Sequence, residues 1–305
     1  MEFRRTIERL FSHPLKDSYY IGFLKDSELS LPVVERYSKI RWLDVRKYES
    51  EGWFADPFIV SVKDNIVELF AEEMLYKTGR GILVYLKIDM CSWAIIEKRT
   101  ILELDTHLSF PIFIREEGRI YVYPENYQSG ALKIYEYDES SKRLVHPHVI
   151  IDAPLLDTQI LKSGDNYYAF GVIYKTGLQK DTKNLFVYKA ETLFGSYKLI
   201  QVIENSRCEE RGAGLFFSEN GQIIRPAQSC EGGYGKEVIF YDLQCHNGSF
   251  YEVEMSRMIP DRNAPNGNIL HTYNKLDGWV TIDGWRYHHP FLASLYKKVR
   301  RIDME

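Results

Sequence analysis

Five segments of the chain repeat one pattern, a strand, a tight turn carrying Gly or Asn, and a second strand: Ala55–Phe70, Phe110–Tyr123, Leu156–Phe170, Ala213–Arg225 and Leu270–Ile282. The turn residues supply the positive φ that short hairpins require. The segments recur every roughly 45–60 residues, which suits one four-stranded sheet per repeat. Later strands of the same repeats are legible at Gly81–Ile88, Ala131–Tyr137, Asn184–Ala190 and Glu237–Leu243. This period predicts an all-β fold, a five-bladed β-propeller spanning residues 47–305. Residues 1–46 read as an N-terminal extension. In it Phe3, Ile7, Leu10 and Phe11 recur at helical spacing, and Ile40–Arg46 is the strand expected to pair with the last blade, beside residues 279–302, and close the ring.

In a propeller the innermost strand of each blade faces the central channel, so the residues that begin each repeat should converge on one pocket. Those residues are Trp53-Phe54-Ala55-Asp56-Pro57, His107-Leu108-Ser109-Phe110-Pro111, Asp157-Thr158, Arg207-Cys208-Glu209-Glu210-Arg211, and Asn266-Gly267-Asn268 with His271. Charge at these positions is hard to justify as packing, because unpaired buried charge is expensive. Tyr and Trp beside them suit the apolar face of a sugar ring while their polar edges meet hydroxyls. The run Arg225-Pro226-Ala227-Gln228, with Glu231-Gly232-Gly233-Tyr234-Gly235, is an awkward core and reads as a sugar-binding rim.

Trp53 to Pro57 followed by a strand, turn and strand resembles the first blade of the five-bladed glycoside hydrolases of families 43, 32 and 68. A closer resemblance, over nearly the whole chain, is to the propeller domain of glucosamine inositolphosphorylceramide transferases and its bacterial relatives. It rests on Tyr20-Ile21-Gly22, Phe54 to Pro57, His107 to Pro111, Ile120-Tyr121-Val122-Tyr123-Pro124-Glu125, Leu156-Asp157-Thr158, Arg225 to Cys230 with Tyr234-Gly235, and Asn266-Gly267 with His271 and Asp283-Gly284. The resemblance implies that Asp56 is nucleophile or general base and that Asp157 orients and tunes the acid. In family 43 the acid is a glutamate directly before a Gly at the start of blade four. Here Arg211 holds that slot, so Glu210 is the candidate acid only if the chain shifts locally. An arginine there lowers a carboxyl pKa and suits an anionic ligand. The expected catalytic set is therefore Asp56, Asp157 and Glu210. The expected substrate-binding set is Trp53, His107, Glu125, Arg211, Arg225, Gln228, Tyr234, His271 and Asp283.

Two functions follow: an enzyme acting on a glycan or glycoconjugate, which is the favoured reading, and a non-catalytic glycan-binding module serving a glycosyltransferase. No cofactor is expected. No metal is expected either, since His146, His148, His288 and His289 have no carboxylate or Cys at a ligand spacing, and the four cysteines are too few and scattered for a metal or disulfide framework. Tyr76-Lys77-Thr78-Gly79-Arg80-Gly81 reads as a hairpin turn, because no helix with Lys-Ser/Thr follows to make it a phosphate loop. With 39 basic against 43 acidic residues the chain has no general attraction to nucleic acid. The start lacks the apolar run of a secretory signal, and no apolar stretch is long enough to span a bilayer. A cytoplasmic location is the expectation.

Overall fold

The structure, a computed structural model, describes residues 17–174, 184–204, 211–229, 235–264 and 266–287. The helix expected over residues 3–11 lies outside them. The described chain opens with β1 (Asp17–Lys25), the short helix α1 (Val33–Lys39) and β2 (Arg41–Trp42). The first blade follows as β3 (Gly52–Lys63), β4 (Ile66–Leu75), β5 (Arg80–Asp89) and β6 (Ala94–Leu102). The second is β7 (Phe113–Glu116), β8 (Arg119–Val122), β9 (Leu132–Asp138) and β10 (Arg143–Ile151). The third is β11 (Leu155–Ser163), β12 (Asn166–Ile173), β13 (Asn184–Ala190) and β14 (Lys198–Glu204). The fourth is β15 (Phe217–Glu219), β16 (Gln222–Ser229), β17 (Glu237–His246) and β18 (Ser249–Met258). β19 (Tyr273–Leu276) and β20 (Trp279–Tyr287) begin the fifth. Each sheet is an antiparallel meander, and the five form the expected propeller.

The first hairpin of every blade has a two-residue loop, fixed by the pairs Lys63↔Ile66, Glu116↔Arg119, Ser163↔Asn166, Glu219↔Gln222 and Leu276↔Trp279. In four of these loops both central residues have positive φ: Asp64 and Asn65, Glu117 and Gly118, Asn220 and Gly221, Asp277 and Gly278. That is the type I′ geometry, whose twist matches that of the flanking strands. Behind the hairpins, middle strands such as β5 are buried through Gly81–Leu86, because neighbouring blades cover both of their faces. Phe70 of the first blade meets Phe113 and Tyr137 of the second edge-on, with ring centroids 5.9 and 4.8 Å apart.

Closure of the ring differs from the expectation. The strand beside β20 is β1, paired over nine residues from Asp17↔Tyr287 to Lys25↔Trp279. Residues 40–46 contribute only β2, which pairs with Gly22 and Phe23 on the outer side of β1. The reason is burial: Ile21, Phe23 and Leu24 are fully covered, as the inner position demands, whereas Arg41 and Trp42 are half-buried at the rim. Gly22 and Gly284 leave the room that the Trp42 ring occupies, since a Cβ on either would come within about 3.0 Å of it. Among the described residues no helix is long and apolar enough to cross a membrane.

Candidate active site

The inner strands begin irregularly, and that irregularity builds the site. Asp56, Phe110 and Asp157 all have left-handed φ, at 50°, 47° and 40°. β-Bulges interrupt the ladder between Ala55 and Phe58 and between Leu156 and Gln159. A bulge re-aims a side chain, and Asp tolerates the left-handed region better than most residues. Phe does not, and its strain is held by a bond across the blades: the Phe110 N–H donates to Asp56 Oδ2 at 2.9 Å.

The fifth blade supplies the partners of Asp56. The Thr272 hydroxyl lies 2.9 Å from Asp56 Oδ1 and 2.8 Å from Asp283 Oδ2, so its one proton is shared between two carboxylates. Asp283 also accepts the N–H groups of His271 and Thr272, and its Oδ2 is 2.7 Å from His271 Nδ1. His271 Nε2 then faces Asp56 Oδ1 at 3.6 Å. Burial opposes charge on His271, but Asp283, its hydrogen bond and the charges of Asp56 and Asp157 outweigh it and hold the imidazole up at about 9. Burial likewise works against ionised Asp283, yet the His271 charge and the hydrogen bonds hold it below the usual carboxylate range. Donor atoms of Asp56, His271 and Asp283 fall within 4.8 Å of one another, a spacing that also suits a cation. The lone pairs it would need are already engaged by one another, Thr272 and the Phe110 N–H.

Asp157 is held from the fourth blade. Gln228 Nε2 donates to Asp157 Oδ2 at 2.9 Å, and Arg211 Nε stands 3.3 Å from the same oxygen. Burial raises the Asp157 pKa while the Arg211 charge pulls it down, with a net upward shift. Asp56 is raised by burial too, against the His271 charge. Arg211 thus pairs with the third-blade aspartate.

Asp56, Asp157 and Arg211 line one pocket of about 300 Å³ together with Trp53, His107, Glu125, His271 and Gln228. Of the expected site residues, those five are brought together with Asp56, Asp157 and Arg211. Asp283 is instead fully buried behind His271. Arg225 is a correction: it is fully buried between blades, ion-paired with Glu252 and 3.0 Å from Gln159 Oε1, because its strand position points into the sheet packing and away from the axis. Glu210 and Tyr234 lie outside the described residues.

Several lining residues were not anticipated, namely Tyr19, Glu72, Met74 and Tyr127. Tyr19 stacks on His271 at 4.9 Å and meets Trp53 at 4.9 Å, making an aromatic wall. Glu72 was detectable in principle, since Glu72-Glu73 breaks the apolar run Leu69-Phe70-Ala71 of β4. Glu72 is buried, and its Oε1 has no hydrogen-bond partner among the described residues, with His107 Nε2 3.5 Å away. His107 Nδ1 accepts the Gly81 N–H at 2.9 Å, which leaves the ring proton on Nε2, and burial lowers its pKa. Glu72 is pushed well above the usual range by burial and then by Asp56, Glu125, Asp283 and Asp157. Glu125 accepts the Tyr127 N–H at 2.8 Å and the Ser109 hydroxyl at 2.9 Å. Burial and the Asp157 charge nonetheless raise it to about 7.

Solved structures share this architecture at low identity. A thermostable family-43 glycoside hydrolase superposes with a TM-score of 0.54 at 14% identity, over 72% of this chain and 83% of that one. An α-L-arabinofuranosidase from Podospora anserina, in complex with cellotriose, gives 0.53 at 10% identity over 79% and 93%. At such identities the likeness speaks for the fold alone. In sequence, glucosamine inositolphosphorylceramide transferase 1 of Oryza sativa subsp. indica is 26% identical over 320 residues, covering 90% of this chain and 42% of the relative. Its counterpart in Arabidopsis thaliana is 27% identical over 193 residues, covering 61% and 25%. The chain therefore spans less than half the length of these relatives. A family model described as glucosamine inositolphosphorylceramide transferase 1, N-terminal, matches residues 23–284, and the chain belongs to that family.

Proposed function

We propose that the protein is a carbohydrate-active enzyme whose central pocket acts on a glycosidic linkage in an amine-bearing glycan or glycoconjugate. One observation carries this reading: four carboxyl groups from three blades, Asp56, Glu72, Glu125 and Asp157, line one pocket walled by Tyr19, Trp53 and Tyr127. Glycosidic chemistry needs one protonated and one ionised carboxyl across the scissile bond. Among the described residues Glu125 has the environment of the proton donor, poised near neutrality; Glu210, the acid expected from sequence, lies outside them. Asp56, with a cationic imidazole beside it and two donors fixing its oxygens, is the nucleophile or general base. In this scheme Glu125 delivers its proton to the leaving oxygen while Asp56, or a water it deprotonates, bonds to the anomeric carbon.

The charge balance supports the amine. Among the described residues the four carboxyls face two cations, Arg211 and His271, and Glu72 Oε1 has no hydrogen-bond partner, nor has Gln228 Oε1, which can accept from a sugar hydroxyl. An ammonium group beside Glu72 would satisfy its open oxygen. The names of the plant relatives carry the same sugar chemistry, glucosamine. The test is a turnover screen of the purified protein against aryl glycosides and activated-sugar donors, with hexosamines as free amines and as N-acetyl forms. Turnover of a free-amine hexosamine substrate is expected, and Asp56→Asn should reduce it by roughly 10²–10⁴-fold while glycan affinity stays within a few-fold. Lack of both turnover and glycan binding would refute the reading.

A second reading is favoured by Arg211, which ties up Asp157 where an acid is expected. In it the pocket is a glycan-recognition module serving a glycosyltransferase. Binding of an oligosaccharide with no turnover of any donor is the outcome that would select it.

A further inference from the structure

A second cavity, of about 360 Å³, lies between the fourth blade, β19 and the segment around α1, and shares no lining residue with the central pocket. Its floor is aromatic. Phe217, Phe240 and Tyr273 form a mutually contacting triad with centroids 4.8 to 6.1 Å apart, and Met255, half exposed, stands beside it. On the other side stands Arg36 of α1. One of its terminal nitrogens donates to the Leu29 carbonyl at 3.2 Å. Its Nε is buried and has no hydrogen-bond partner among the described residues, and no carboxylate among them forms an ion pair with the guanidinium.

The other charged side chains nearby are already satisfied. Arg257 is paired with Glu237 and Glu254, and Lys275 lies 4.3 Å over the Phe217 ring and 3.3 Å from Glu219. Arg36 is the exception, and a half-buried guanidinium without an anion is a poor structural device. Removing its hydration costs free energy, and the fork geometry matches an oxyanion that the fold does not supply. The volume is that of a small-molecule site, and a hydrophobic lining with few polar groups is the usual composition of one.

From this arrangement we propose that the cavity is a second ligand site, for an amphiphilic anion: a carboxylate or phosphate ester whose oxygens meet Arg36 and whose apolar body lies on Phe217, Phe240 and Tyr273. The oxyanion engages the guanidinium through its terminal nitrogens, and the apolar part displaces water from the aromatic floor. The site is independent of what the central pocket does.

Octanoate, octyl phosphate and 1-octanol serve as probes of the full chain, with binding followed by NMR titration. Octanoate or octyl phosphate is expected to bind at least tenfold more tightly than 1-octanol, and the tighter of the two identifies carboxylate or phosphate as the natural head group. Contacts from the alkyl chain should appear on the Phe240 and Tyr273 rings, a readout that needs no variant. Arg36→Met, which keeps the apolar stem, should weaken anion binding at least tenfold, with Arg36→Lys in between. Equal binding of the alcohol, alkyl contacts at Trp53 and Tyr127 of the central pocket, or the absence of binding by both anions would each overturn the proposal.

Discussion

Glu125 and His271 are two groups whose protonation the fold sets against their ordinary tendencies, and both make pH a probe of the site. Glu125 sits at about 7, above the usual carboxyl value, so the folded state favours its protonated form. Its penalty is therefore absent in acid, grows as pH rises past the unfolded value, and is complete above about 7. Glu125→Gln is expected to leave stability unchanged near pH 4 and to raise it at pH 8 by up to about 3 kcal/mol. The Ser109 hydroxyl can reverse to accept from the new amide. Denaturant unfolding at the two pH values checks this. If Glu125 is the proton donor, the wild-type kcat/KM also falls as pH rises through about 7, and the variant lacks that limb.

His271 titrates with the opposite charge but the same outcome. Its folded value of about 9 exceeds its unfolded one, so the stability it contributes is fully present below about 6.5 and is lost as pH rises through 9. Asp283 is the largest favourable influence on it, although no ligand in the pocket can reach Asp283. Asp283→Asn should lower the imidazole pKa toward its ordinary value, visible in the His271 ring NMR shifts, and should destabilise the protein most at neutral pH. A His271 titration unchanged in that variant would remove Asp283 as its positioning group.

At the scale of elements, the blades depend on close approaches at their inner ends. Gly214 precedes β15, and a Cβ there would stand 1.8 Å from the Tyr273 carbonyl oxygen of the fifth blade. Backbone cannot yield as a flexible side chain does. Gly214→Ala is expected to cost about 1–3 kcal/mol, at the upper end or beyond because the obstacle is main chain, and thermal melting would register it. The same contact region carries the bond from Leu215 N–H to Asn274 Oδ1 at 2.8 Å, so the two blades should loosen together. A variant melting with the wild type would show that this approach is slack.

Across the whole molecule the ring is closed by chain from its two ends, β1 against β20. Polar bonds reinforce that closure at the axis: Asn274 Nδ2 donates to the Pro57 carbonyl at 2.9 Å, and the Asp56 N–H to Asp283 Oδ2 at 3.3 Å. Deleting residues 1–25 should expose the full edge of β20 and the apolar face that Ile21, Phe23 and Leu24 cover, giving a species that melts lower and aggregates. Extending the deletion through β2 should add to that loss, since it also removes Tyr37 and Ile40, which are buried against the fifth blade. A truncated protein as stable and monomeric as the intact one would contradict closure by β1.

The repeat period and the turn residues were enough to specify five blades, because hairpin geometry is local: Asp64-Asn65 or Asp277-Gly278 demands positive φ whatever surrounds it. Charge at the repeat starts likewise marked Asp56, Asp157, Arg211 and His271, since ionisable groups at inner-strand positions have no packing role. Tertiary structure alone decided what lies opposite what. Tyr19 and Glu72 entered the pocket because β1 and β4 run alongside the inner strands, Arg225 left it because its face of the sheet turns into the blade packing, and β1 took the closing position from residues 40–46. None of these follows from a residue's own neighbours in sequence. Each depends on which face of a strand another blade covers; burial then raised Glu125, and Asp283, against burial, raised His271, to protonation states that their residue types do not have in water.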